Sequence, residues 1–369
     1  MTRRELLAMA GSAAVLRAAP APAPPVAIAR ASYDDDLVAT LGTMFDQLGG
    51  ASRIVRNKTV TVKLNLTGSP ALRFQGKALG LTHYSHPKTV MAMAHVLDRA
   101  GARRIRFVES AWGTAGPLEE YLLDSGWNVR GLIAVSPKIE FENTNALGKA
   151  KRYSRLKVPG GGHIFPAFDL NHSYEDTDVF VSMAKLKNHE TCGITLAMKN
   201  CFGITPASIY GDDSGIDGPN ESPTKGRGEV CHFGKRQPSK TAPAENDPAS
   251  NRHPGYRMPR IVADLAATRP LDISFIDGIE TVIGGEGPWI QGLALAKPGV
   301  LILGTNGVTT DTVGAAVMGY DPRAPRGVKP FETCDNTLLL AEALGVGSAD
   351  LSRIDVRGVP IAQVRYAFR

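Results

Sequence analysis

The sequence predicts an α/β protein with a mixed or mostly parallel sheet flanked by helices, built as one large domain or two joined lobes, and interrupted by a long loop-rich insertion. Three observations carry this expectation. Short apolar runs typical of buried strands alternate along the chain with amphipathic runs of 3.6-residue period. The 369 residues are 43% hydrophobic and 21% charged, ordinary globular values that exclude wholesale disorder, a fibrous repeat and a multi-span membrane protein. Glycine (39) and proline (25) make up about a sixth of the chain, so turns and loops are abundant.

The first 29 residues read as a targeting segment. Arg3-Arg4 precede a small apolar stretch, residues 6–16, that is too short to span a bilayer as a helix, and Arg17 and an Ala/Pro tract follow. The pattern resembles a twin-arginine signal read by the corresponding export machinery, which implies a periplasmic or otherwise exported protein without a stable membrane anchor once the signal is cleaved. Cleavage after Ala27-Ile28-Ala29 fits the small-x-small rule and would leave residues 30–369 as the mature domain. Losing Arg3, Arg4 and Arg17 together with Glu5 lowers the formal charge of +6 by two. That modest excess comes with no Lys/Arg run interleaved with aromatics, so no nucleic-acid partner is expected.

The first helix is expected over Asp36 to Leu48, where Leu37, Val38, Leu41, Met44 and Leu48 share a face and Gly49-Gly50 ends it. Thr59 to Leu66 reads as a strand that delivers Lys63 and Asn65 to one side. His86-Pro87 opens a second helix, with His86 as its cap, and Arg104 to Val108 is the next strand, with Glu109 and Ser110 at its carboxyl end. Strand, helix and strand in that order form a βαβ unit, and ligands of such sheets gather at the carboxyl ends of the strands. Asp178 to Ser182 is another buried strand, and Ile194 to Met198 continues as helix or strand. Residues 206–259 hold hardly an apolar pair and read as either an ordered excursion over the site or a disordered insertion. A short helix over Ile261 to Ala267, strands over Asp272 to Ile276 and Gly299 to Gly304, and a helix over Thr312 to Met318 complete the pattern.

The densest polar cluster is Lys185-Leu-Lys187-Asn-His189-Glu-Thr191, followed by Lys199-Asn200. Lysines flanked by apolar runs must meet acids or anionic ligand groups, because an unpaired buried ammonium is costly. With Lys63 and Asn65, they make Lys185, Lys199 and Asn200 candidates for binding an anionic substrate. His189 and Lys187 are the candidate catalytic groups, His189 because imidazole titrates near neutrality. Asp277, Glu286 and Asp311 sit at strand ends or glycine-rich turns, where carboxylates can hold a divalent metal or orient the lysines, and Asp311 reads equally as a helix cap. Gly284-Gly285-Glu286-Gly287-Pro288 fits neither a dinucleotide fingerprint nor a P-loop, though its amides can form an anion nest. No G-x-S-x-G, H-E-x-x-H or EF-hand pattern is present. Cys192, Cys201, Cys231 and Cys334 include no C-x-x-C pair, so they read as buried thiols or two disulfides and not as a ferredoxin module.

Several of these blocks together resemble the bacterial and archaeal domain of unknown function number 362. They are Val62-Lys63-Leu64-Asn65-Leu66, Ser182 to His189, Gly193 to Gly203, Asp277-Gly278, Glu286-Gly287-Pro288 with Gly292, and Asp311 with Met318-Gly319-Tyr320-Asp321-Pro322. Some members of that family carry ferredoxin-type cysteines. This chain lacks them, so the resemblance implies no iron–sulfur cluster here, and it leaves His232 and His253 as the two positions for a histidine expected after the Lys-Asn block. The residues then point to an enzyme acting on a carboxylate or phosphate compound through a Lys/His/acid pocket. Two alternatives remain: a non-catalytic periplasmic protein binding a metal or acidic solute in the same pocket, and a cell-envelope interaction role in which the lysines would be dispersed over the surface.

Overall fold

A computed structural model describes residues 20–368, so Arg3-Arg4 and residues 6–16 lie outside the described residues. Its centre is a continuous sheet of eight strands: β1 Val26–Arg30, β2 Thr59–Lys63, β3 Arg104–Glu109, β4 Ile139–Asn143, β5 Val179–Lys185, β6 Ile273–Gly278, β7 Val300–Gly304 and β8 Val356–Gly358. The spatial order is β8-β1-β7-β6-β5-β2-β3-β4. β7 runs antiparallel to both of its neighbours, and every other pairing is parallel. The mostly parallel α/β fold is therefore present.

Strand alternation sends successive side chains to opposite faces, and helices cover both faces. On one face Val60, Val62, Phe107, Val181 and Phe275 pack against α1 (Leu37–Gln47) and α2 (Pro87–Arg99). On the other, Phe180, Ala184, Ile276 and Ile302 pack against α3 (Leu196–Asn200), α4 (Pro254–Thr268) and α5 (Gly307–Val317). Asp36 caps α1 by accepting from the amides of Val38 and Ala39, and His86 caps α2 through the Lys88 amide. β2, α2 and β3 form the expected parallel unit.

Three expectations change. β1 contains Val26, Ala27 and Ile28, all essentially inaccessible, and it is laddered on both edges, antiparallel to β7 and parallel to β8. Cleavage after Ala29 is incompatible with this sheet, because it would remove an inner strand. Pro22 O and Ala21 O also accept hydrogen bonds from Ser348 N and Arg353. Second, α4 starts at Pro254, seven residues before Ile261, and runs through Pro259. The Gly255 carbonyl that Pro259 cannot reach accepts the Asp335 amide at 2.8 Å instead. Third, α5 starts at Gly307 under an Asn306 cap, so Asp311 lies inside the helix and does not cap it. The 206–259 segment is an ordered excursion, with a short helix at Ala207–Tyr210 and a π-helical turn at Gly228–His232. The four cysteines are free and buried.

Candidate active site

A cleft of about 390 Å³ opens at the carboxyl ends of β2 and β3, where ligands of parallel sheets collect. β2 supplies Lys63 at its last residue and Asn65 just beyond, so both lie on one side as the spacing predicts. Glu109, the last residue of β3, and Ser110 form the adjoining floor. His189 follows β5, Lys199 and Asn200 end α3, and the excursion contributes Arg227 and His232. Trp112, Trp289, Leu72 and Phe202 make the walls, and the first three are 43%, 44% and 44% exposed, which gives the cleft an apolar mouth above a polar floor.

The floor is an ion pair. Lys63 Nζ lies 2.5 Å from Glu109 Oε1 with both side chains buried, and Nζ also donates to Leu64 O and Asn200 Oδ1. Glu109 accepts from the amides of Leu66 and Ser110 as well. Burial raises the Glu109 carboxyl and lowers the Lys63 ammonium, while each charge pulls its partner back toward the ionised form. Gly203 lies over the pair: a Cβ there would stand 2.7 Å from Lys63 Nζ and 3.1 Å from Glu109 Oε1.

Lys199 differs from the other lysines of the motif. It is 9% exposed, and among the described residues its Nζ has no carboxylate or hydrogen-bond partner, resting 4.5 Å over the Phe202 ring. Burial lowers its ammonium, and the Arg227 and Lys63 cations add to that against Glu286 and Cys192. Arg227 also has no carboxylate within ion-pair distance among the described residues. One of its Nη atoms donates to Ser110 Oγ at 3.0 Å and to Thr205 O, with the guanidinium 5.1 Å over the same ring.

His189 Nδ1 accepts from the Thr191 amide at 3.1 Å, so in the neutral ring the proton sits on Nε2. Burial, with the Lys199 and Lys187 ammoniums, holds the ring well below its ordinary value and therefore neutral. The 3.9 Å approach of Glu286 Oε2 to Nδ1 is accordingly not an ion pair. Glu286 instead accepts from the Glu190 amide and from Trp289 Nε1, which fixes one wall. His232 stacks on Phe202 at 5.6 Å, and its buried Nε2 has no partner among the described residues. Asn65 Oδ1 is a second buried orphan on the cleft.

The cleft thus gathers Lys63, Asn65, Lys199, Asn200, His189 and Glu286 of the expected set and leaves out four. Lys185 and Lys187 do share a face, but that face meets the 79–83 turn: Lys185 Nζ donates to Gly80 O and Lys187 Nζ to His83 O. Lys185 pairs with Asp277 at 3.2 Å, and the Tyr33 hydroxyl donates to the same carboxylate. Lys187, lowered to about 7 chiefly by burial, also donates to Glu286 O and Thr67 Oγ1, so it braces the Glu286 loop from behind and does not reach the cleft. Asp311 accepts from the amides of Ala197 and Met198 at 2.8 Å and so caps α3 from a neighbouring helix. This holds Leu196, whose φ of 41° lies in the left-handed region, one turn before Lys199. Asp277, Glu286 and Asp311 therefore do not converge as a metal set, and among the described residues no group of three or more His, Cys, Asp or Glu side chains is arranged to hold a metal ion. Glu109, Arg227, His232 and the tryptophans were not among the expected site residues. Glu109 carried a signal as the acid at a strand's carboxyl end and His232 was one of two positions the family resemblance left open for a histidine, whereas Arg227 sits in the loop-rich excursion without a signal.

Comparison with known proteins adds two findings. The model of a family described as "Domain of unknown function (DUF362)" matches residues 60–316, a stretch that contains every charged and imidazole group of the cleft. A thylakoid-associated protein of Synechocystis sp. is 25% identical over 180 residues, 48% of this chain and 49% of the relative, so the chain spans about half the length of the curated relative it matches.

Proposed function

The chain belongs to the domain of unknown function 362 family, and from that premise and the composition of the cleft we propose that the protein is an enzyme acting on an anionic organic molecule with a partly apolar body. One observation carries the reading: two cations without a carboxylate partner, Lys199 and Arg227, face the same cleft as the open Nε2–H of a neutral histidine. The Lys63–Glu109 pair is internally satisfied, so it supplies a fixed floor and no free charge. Carboxylate or phosphate oxygens are the ligand atoms that balance Lys199 and Arg227, and the apolar body would lie against Trp112 and Trp289. His189 Nε2–H is a neutral hydrogen-bond donor for an oxygen that gains charge during reaction. The alternative is a non-catalytic binding protein for the same acidic solute. A surface role that disperses the lysines finds no support, since Lys63, Lys185, Lys187 and Lys199 are 1%, 0%, 0% and 9% exposed.

Two of the three tryptophans line the cleft, so their emission reports occupancy. Titration with phenylphosphate, benzoate and inorganic phosphate should quench it saturably for the aromatic anions, and Lys199→Met should weaken binding by about tenfold or more. Quenching that is absent, or unchanged in Lys199→Met, sinks the anion-site reading. His189→Ala separates the roles: loss of turnover with affinity kept within a few-fold supports the enzyme, whereas saturable binding without turnover by the unsubstituted protein, with affinity lost in His189→Ala, supports the binder. Export is a further proposal, resting on the Arg3-Arg4 segment, with processing upstream of β1.

A further inference from the structure

Lys199 is the feature that charge balance alone leaves unexplained. An anchoring ammonium is normally held in place by hydrogen bonds that it donates to its surroundings, as those of Lys63, Lys185 and Lys187 are. Lys199 Nζ has none among the described residues, lies over an aromatic ring and opens onto a cleft that also holds the Arg227 and Lys63 cations. Desolvation and neighbouring cations are the two conditions that keep a lysine amine unprotonated and nucleophilic near neutral pH. Arg227 offers a carboxylate anchor in the same cleft, and His189 offers a neutral N–H donor.

We infer that Lys199 forms an imine with the carbonyl carbon of a 2-oxo acid whose carboxylate is held by Arg227. The inference rests on the anion-site reading above and adds a covalent step to it. Nζ attacks the carbonyl carbon to form the C–N bond, and the carbonyl oxygen becomes a hydroxyl. That hydroxyl then leaves as water while the C=N bond closes. The unprotonated amine of Lys199 and the ketone together become an imine and one water; both protons given up by Nζ end on the departing oxygen, and no oxidant or reductant is consumed. His189 Nε2–H donates a hydrogen bond to that oxygen as charge develops on it. The apolar mouth formed by Leu72, Trp112 and Trp289 favours a 2-oxo acid with an aromatic or aliphatic side chain.

The experiment is reductive trapping. The intact protein is incubated with glyoxylate, pyruvate or phenylpyruvate and cyanoborohydride, then read by intact mass and peptide mapping. The expected result is one adduct per chain, adding the mass of the acid less one oxygen, located on Lys199 and formed at least about tenfold faster than on any other lysine. Lys199→Arg should abolish it, and His189→Gln should slow trapping. Peptide mapping of the unsubstituted protein locates the adduct even where Lys199→Arg does not fold. Quenching without any Lys199 adduct overturns the imine and leaves the anion site standing. Adducts spread over other lysines, equal in Lys199→Arg, overturn it as well. Neither quenching nor adduct defeats both readings.

Discussion

The Lys63–Glu109 pair allows a prediction in which two substitutions at one site have opposite pH dependence. The side chains meet at 2.5 Å with relative exposures of 1% and 4%, so removing either partner strands a buried charge, which the fold relieves by changing that group's protonation. In Lys63→Met the stranded group is Glu109. Protonating it at pH 7 against an ordinary value of 4.5 costs at most about 3.5 kcal/mol, at about 1.4 kcal/mol per pH unit. In Glu109→Gln the stranded group is Lys63. Deprotonating it against an ordinary value of 10.5 costs at most about 5 kcal/mol. The amides of Leu66 and Ser110 go on solvating a lone Glu109 carboxylate, whereas Lys63 keeps only Leu64 O and Asn200 Oδ1, so Glu109→Gln should be the more damaging change. The Lys63→Met deficit shrinks as pH falls from about 7 to about 5, because protonating Glu109 becomes easier. The Glu109→Gln deficit shrinks as pH rises from about 7 to about 9, for the mirror-image reason. Denaturant unfolding of both variants and the unsubstituted protein at the three pH values measures this. Equal, pH-independent losses would refute the argument and show that the two groups act only as packing.

Two further outcomes are expected. Burial lowers His83 to about 2 and His86 and His232 to about 3, with His189 also well below its ordinary value, while each returns to about 6.5 on unfolding. The unfolded chain then binds more protons below about 6.5, so stability is lost as pH falls through that value, by up to about 1.4 kcal/mol per unit for the fully buried His83. Asp311, pushed up to about 8 by burial, opposes this as one group against four. Thermal melts from about pH 7 to about pH 5 check the direction, and His83→Asn should flatten the slope. For the N-terminus, a chain starting at Pro20 should keep its melting temperature, whereas one starting at Arg30 loses Val26 and Ile28 from the core, about 1.5–3 kcal/mol each, and with them most of the ladder to β7 and all of the ladder to β8. An Arg30 start that melts with the full chain would show that β1 is dispensable.

The order of strands and helices was legible because each segment carries its own period: α1, α2 and the strands β2, β3 and β5 to β7 follow from apolar spacing and local caps such as Asp36 and His86. β1 was hidden because the sequence between the Ala/Pro tract and Arg30 satisfies a cleavage rule as well as a strand, and only pairing with β7 and β8 distinguishes them. The position of the site was also legible, since parallel strands place Lys63, Glu109 and the residues after β5 at one end of the sheet. Which lysine is chemically available was not. Lys185, Lys187 and Lys199 have the same side chain in similar apolar surroundings. Their fates are set by partners far away in the chain, such as Asp277 and Gly80 O for Lys185, and His83 O and Glu286 O for Lys187. Asp311 likewise reads as a cap for its own helix and caps another one. Local pattern sets burial, so the need to bury several charges near one sheet end is written in the chain. Which charges neutralise each other and which face the cleft depends on distances across the fold and emerges only on packing.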